Sequence, residues 1–259
     1  MLSTFTSYQL IAKDLPLALT RKGAESVVAR ETAYYRANIE TVKSIDDLLG
    51  NQRLYAYAMK AHGLEDMVYA KAFMRKVLTE GVDAKTAFAN RLTDDRYKAF
   101  AKVFDFTTYG ANTTRRTAAN DKTVAAYLRQ QLESDAGSDD TGVRLALYFA
   151  RKAPEITTGY GVLADTALSQ VVKTVLGLPD AGASETALAR QVELIERKID
   201  LASFKDPAKL DRFVKRFTAI WDAQNNTTSA PILSLFATPS SAGLDAGLLL
   251  SLQRIRSGS

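Results

Sequence analysis

The chain has 259 residues, 46% of them apolar, no cysteine, and a formal charge of +5 from 34 basic against 29 acidic residues. That apolar share supplies a real core and excludes a disordered or fibrous chain, while the missing cysteines exclude disulfides, thiolate metal sites and cysteine nucleophiles. The charges interleave, with Arg21-Lys22, Arg115-Arg116 and Arg151-Lys152 only as isolated pairs, so they read as solvated helix faces and no nucleic-acid partner is expected.

No stretch alternates apolar and polar residues as a half-buried strand would, so the expected fold is all-α, a multi-helix bundle with amphipathic terminal helices. Residues 1–15 are rich in Ser and Thr and carry Phe5 and Tyr8, a composition that suits a flexible or partner-ordered arm. Pro16 permits a helix start, and 16–43 reads as one long amphipathic helix with Val27, Val28, Tyr35, Ile39 and Val42 near one face.

Residues 44–106 form the first helical unit. Ser44 with Asp47 makes a capping-box-like start, and Gly63 and Gly81 sit where two apolar stripes stop. Between these glycines Met67, Ala70, Met74, Val77 and Leu78 share a face. Asp83 is placed to cap the piece carrying Ala87, Phe88, Arg91 and Leu92, and Thr93 the piece carrying Tyr97, Phe100 and Phe104.

Residues 107–142 read as a linker loop, a connecting helix through Val124, Tyr127 and Leu132, and a polar linker over 134–142. The second helical unit, 143–222, contains a segment stopped by Pro154, a stripe of Leu168, Val171, Val172 and Val175 ending at Gly177, and a segment opened by Ser184. Asp206-Pro207 is the clearest helix start, leading into Leu210, Phe213, Val214, Phe217 and Trp221. Residues 223–259 read as a Pro-containing tether and a C-terminal amphipathic helix. Its apolar side, Leu244, Leu248, Leu249, Leu252 and Ile255, is the candidate partner-binding face, because burying each such side chain is worth roughly 1.5 to 3 kcal/mol.

The second unit echoes the first. Asp95-Arg96-Tyr97 with Phe100 answers Asp211-Arg212-Phe213 with Phe217, and the stretch from Ala84 parallels that from Ser184. Two readings stay open: duplicated helical units about one shared core, or amphipathic helices of similar length that look alike.

Chemistry-bearing patterns are few. His62, the lone histidine, lies at a helix end, where its charged form would favour the dipole, and has no companion ligand at metal-binding spacing. Gly159-Tyr160-Gly161-Val162-Leu163-Ala164 matches a dinucleotide fingerprint formally but lacks the buried strand that must feed it. The acidic neighbours Asp46-Asp47, Glu65-Asp66, Asp94-Asp95 and Asp139-Asp140 fall mostly in first helical turns, where negative charge is stabilised. No catalytic residue, cofactor or metal site is therefore expected, and the chain reads as non-enzymatic. No segment approaches a bilayer span, and MLSTFTSYQLIAKDLPLAL lacks the basic leader and apolar run of a secretory signal.

The phrase DLLGNQRLYAYAMKAHGLEDMVYAKAFMRKVLTEG, followed by FANRLTDDRYKAFAKVFDF, resembles an uncharacterised all-helical alphaproteobacterial family, a domain of unknown function numbered twelve-seventeen. STFTSYQLIAKD and GLDAGLLLSLQRIR resemble that family's ends. The resemblance brings no activity and no catalytic residues. It implies a bacterial role connected with flagellar gene clusters, where members often lie. The expectation is a structural, assembly or accessory protein of the flagellum, cytoplasmic or flagellum-associated, acting on a protein partner or by self-association. The alternative is a cytoplasmic chaperone-like or regulatory binder of a flagellar export substrate.

Overall fold

The computed structural model describes residues 2–180 and 184–225. Within them the chain is all-helical, with no strand, and forms a multi-helix bundle. The order is α1 (Thr4–Lys13), α2 (Leu15–Ala24), α3 (Ser26–Asn38), α4 (Ile45–Gly50), α5 (Gln52–Ala61), α6 (Lys71–Glu80), α7 (Phe88–Arg91), α8 (Asp95–Val103) and α9 (Phe106–Tyr109). It continues with α10 (Asp121–Asp139), α11 (Thr141–Lys152), α12 (Gly159–Ala164), α13 (Thr166–Leu176), α14 (Glu185–Lys198) and α15 (Pro207–Asn225).

Several starts and stops follow the local chemistry. Ser44 accepts the Asp47 amide while the Asp47 carboxylate accepts the Lys43 amide, closing a reciprocal box around the start of α4. Gly63 and Gly81 both hold positive φ, +70° and +63°, a backbone region that side-chain-bearing residues rarely adopt. Asp206 accepts the Ala208 and Lys209 amides to open α15 behind Pro207.

Other boundaries differ from expectation. The segment 1–15 is not a loose arm: α1 is capped by Ser3, and Thr4 and Tyr8 are buried. The long helix over 16–43 breaks at Glu25, whose extended ψ of 134° separates α2 from α3, and it ends in a 3-10 turn at Ile39–Thr41. Val28, Tyr35, Ile39 and Val42 are buried as the stripe requires, but Val27, about 100° around α3 from Val28, faces outward and is 56% exposed. Asp83 does not cap α7. Its first amide, that of Phe88, donates to Glu80, and α8 is capped by Asp94, not Thr93. The polar stretch 134–142 continues as the last turns of α10 and stops only at Asp140, whose carboxylate accepts the Gly142 and Val143 amides to start α11.

The buried apolar side chains sort into two clusters in place of the one shared core that the echo suggested. The first spans Val28 to Tyr127 and is centred on stacked Tyr35, Tyr57 and Tyr127, with centroids 4.3 and 3.8 Å apart. The Tyr35 hydroxyl donates to the Ala119 carbonyl at 2.6 Å, satisfying the polar end of a fully buried ring. The second joins Tyr8 to residues 143–217, with Phe149, Phe204 and Phe213 in mutual contact. The echoed stretches take unequal forms. Residues 84–92 hold a turn and the four-residue α7, whereas 184–192 open the fourteen-residue α14. Similar amphipathic texts thus fold into different elements, because tertiary packing outweighs propensity.

Candidate protein-binding surface

The face named from sequence, Leu244, Leu248, Leu249, Leu252 and Ile255, lies outside the described residues. An exposed and partly apolar surface occurs at the other end of the chain. Helix α1 buries the line Thr4 and Tyr8, with Ile11 packed beside them, into the second cluster. This line recurs at i, i+4 and i+7, which is one helical face.

The start of α1 is fixed by carboxylates far away in sequence. Asp222 near the end of α15 accepts the Thr4 and Phe5 amides at 2.8 and 3.0 Å, and Asp140 accepts the Thr4 hydroxyl at 2.6 Å. Such charge-assisted bonds at a helix N-terminus satisfy donors that lack intrahelical partners. Close packing completes the clasp: a Cβ on Gly142 would sit 2.4 Å from the Trp221 ring and 2.7 Å from Thr4 Cγ2.

Beside this committed face, α1 borders a groove of about 480 Å3 that α15 closes with Asp211 and Lys215. Phe5, Tyr8 and Ala12 share its apolar side, Thr6, Gln9 and Leu10 lie around the helix from them, and Lys13, Asp211 and Lys215 stand on its rim. Leu10 is 62% exposed, as is Leu2 at the helix start. Asp211 is paired with Lys215 at 2.8 Å, whereas Lys13 has no ion-pair partner among the described residues. The Tyr8 hydroxyl is pushed up to about 12, first by burial and then by Asp211, with Arg129 opposing. It stays a neutral phenol at physiological pH. Sequence reasoning missed this surface because Ser and Thr mask the i, i+4 line in a short segment, and only Phe5 and Tyr8 hinted at a buried side.

Reactive constellations do not assemble elsewhere in the described residues. No group of three or more His, Asp and Glu side chains converges in a way that could hold a metal ion. The acidic neighbours divide their labour: Asp94 and Asp140 cap helices, Asp47 accepts the Lys43 amide just ahead of α4, and Asp46 pairs with Arg75. Gly159–Ala164 is the short helix α12, opened by the Thr158 hydroxyl with no strand before it. His62 ends α5 and stands edge-on to Phe100 and Phe104, with its Nε2 enclosed and unpartnered. Burial, helped by Lys152, drives its pKa down to about 4, so it is a neutral packing histidine and gains nothing from the helix dipole. Among the described residues no helix is long and apolar enough to cross a membrane.

Comparison with known proteins agrees with this fold. A solved X-ray structure of an Agrobacterium tumefaciens protein is similar, with a TM-score of 0.79 and 49% identity over 87% of this chain and 97% of that one. No curated protein matches the chain. The family model described as protein of unknown function (DUF1217) matches residues 61–210, more than half of the sequence, and the chain therefore belongs to that family.

Proposed function

We propose that the protein is a non-enzymatic structural, assembly or accessory protein of the bacterial flagellum that acts by binding other proteins. The observation that carries the binding part is the α1/α15 groove: a docked terminal helix keeps one face in the core and leaves Leu10 outward beside an apolar wall. Exposed leucines at the mouth of a preformed groove are the usual anchor for a partner, since covering them recovers burial energy without reorganising the body. The flagellar part is supported by the gene neighbourhood that the family resemblance implies.

A deletion strain, scored for swimming and complemented with the native gene, tests the reading together with blotting of purified flagellar basal bodies. The proposal expects impaired motility and protein in the flagellar fraction. A deletion strain that swims normally, with no protein in that fraction, refutes it.

A further inference from the structure

We infer that the α1/α15 groove receives an amphipathic helix of a partner protein whose polar flank carries carboxylates. This rests on the protein-binding reading above and adds the chemistry of the partner.

Length, apolar character and charge each narrow the occupant. Helix α1 has ten residues, about 15 Å at 1.5 Å per residue, so the groove offers room along it for roughly three helical turns. Its apolar side of Phe5, Tyr8 and Ala12, with Leu10 exposed at the mouth, suits a stripe of apolar side chains at i, i+3, i+4 and i+7. An extended peptide has nothing to add to, because strand addition needs a sheet edge and no strand occurs among the described residues.

The rim selects the sign of charge. Lys13 and Lys215 against Asp211 leave the groove with one net positive charge, and Asp211 is already engaged by Lys215. An incoming carboxylate finds Lys13 with no ion-pair partner among the described residues, whereas an incoming lysine is repelled by Lys13 and meets on the α15 side only the Lys215–Asp211 pair. The chain's formal +5 favours the same class of partner at longer range.

The test uses the full-length protein and two labelled fourteen-residue peptides of identical leucine pattern, one with Glu and one with Lys at the polar positions, titrated by fluorescence anisotropy at low salt. The Glu peptide is expected to bind at least fivefold more tightly. Leu10→Asp, an exposed substitution whose fold is checked by its unchanged melting curve, is expected to weaken it tenfold or more. Lys13→Glu is expected to lower affinity for the Glu peptide about fivefold and to raise affinity for the Lys peptide, a gain that a misfolded variant does not give.

Equal binding of both peptides, or binding indifferent to Leu10→Asp, overturns the inference while leaving the motility test of function untouched. A dimer that Leu10→Asp dissociates overturns it too, by naming a second copy as the occupant. So does binding of the Glu peptide that appears only when Leu248 and Leu252 are changed to Asp.

Discussion

Replacing Glu133 by Gln tests the most heavily buried charge among the described residues. Glu133 is 1% exposed on α10, and its carboxylate accepts from Arg129 Nε at 2.7 Å and from Arg151 Nε and Nη2 at 2.8 and 2.7 Å. Arg129 also donates to the Leu147 carbonyl at 2.9 Å, so the triad joins α10, which carries Tyr127 into the first cluster, to α11 of the second. Burial works against the Arg151 charge, and the bonds to Glu133 outweigh it, holding the guanidinium above its ordinary pKa. Gln keeps the shape but removes the charge, leaving two guanidinium groups without a counter-ion. Breaking a buried pair in this way costs about 3 to 5 kcal/mol. For a domain of this size that lowers Tm by roughly 6 to 20 °C, read by far-UV circular dichroism on heating. Replacing all three members together, as Arg129→Met, Glu133→Leu and Arg151→Met, is expected to restore most of the loss, because the penalty comes from uncompensated charge and not from lost shape. A Glu133→Gln variant within about 1 kcal/mol of the native protein, or a triple variant less stable than the single, refutes the reasoning.

The neutral His62 gives a pH dependence. With a folded pKa near 4 against about 6.5 unfolded, the unfolded chain binds more protons between those values. Stability from this residue is therefore complete above about pH 6.5 and falls as the pH drops towards 4, by roughly 2 to 3 kcal/mol. Urea titrations across that window should show the decline, and His62→Gln should flatten it; an unchanged slope contradicts the burial account. Gly142→Ala drives a methyl into Trp221 and Thr4, costing about 1 to 3 kcal/mol. Because Trp221 is the sole tryptophan, its emission spectrum reports the displacement directly, and native emission with native stability would show that the crossing tolerates a methyl.

Much of the helical architecture was legible in the text. Ser44 with Asp47, Asp206 with Pro207, and the stripe Leu168, Val171, Val172 and Val175 act over a few residues, where a side chain meets its own backbone or recurs on one face. The misreadings share a different cause. Residues 134–139 look like a linker by composition, yet they stay helical where Lys22 reaches Asp135 and Arg151 reaches Glu133, partners 113 and 18 residues away. The Phe88 amide donates to Glu80 although Asp83 is nearer in sequence, and Asp83 instead accepts from Thr108, 25 residues away.

Taken alone, the sequence determined that the chain is helical, where many of its helices begin and end, and which stripes must leave water, since these depend on local hydrogen bonding and on periodicity. Tertiary structure decided that the stripes fill two clusters, that the Ser- and Thr-rich start is a docked helix clasped by Asp222 and Asp140, and that Glu133 and His62 are enclosed. Those outcomes turn on contacts between residues as much as 218 positions apart. Such pairs carry no mark in the local text, because a carboxylate reads the same whether it caps its own helix or closes over another.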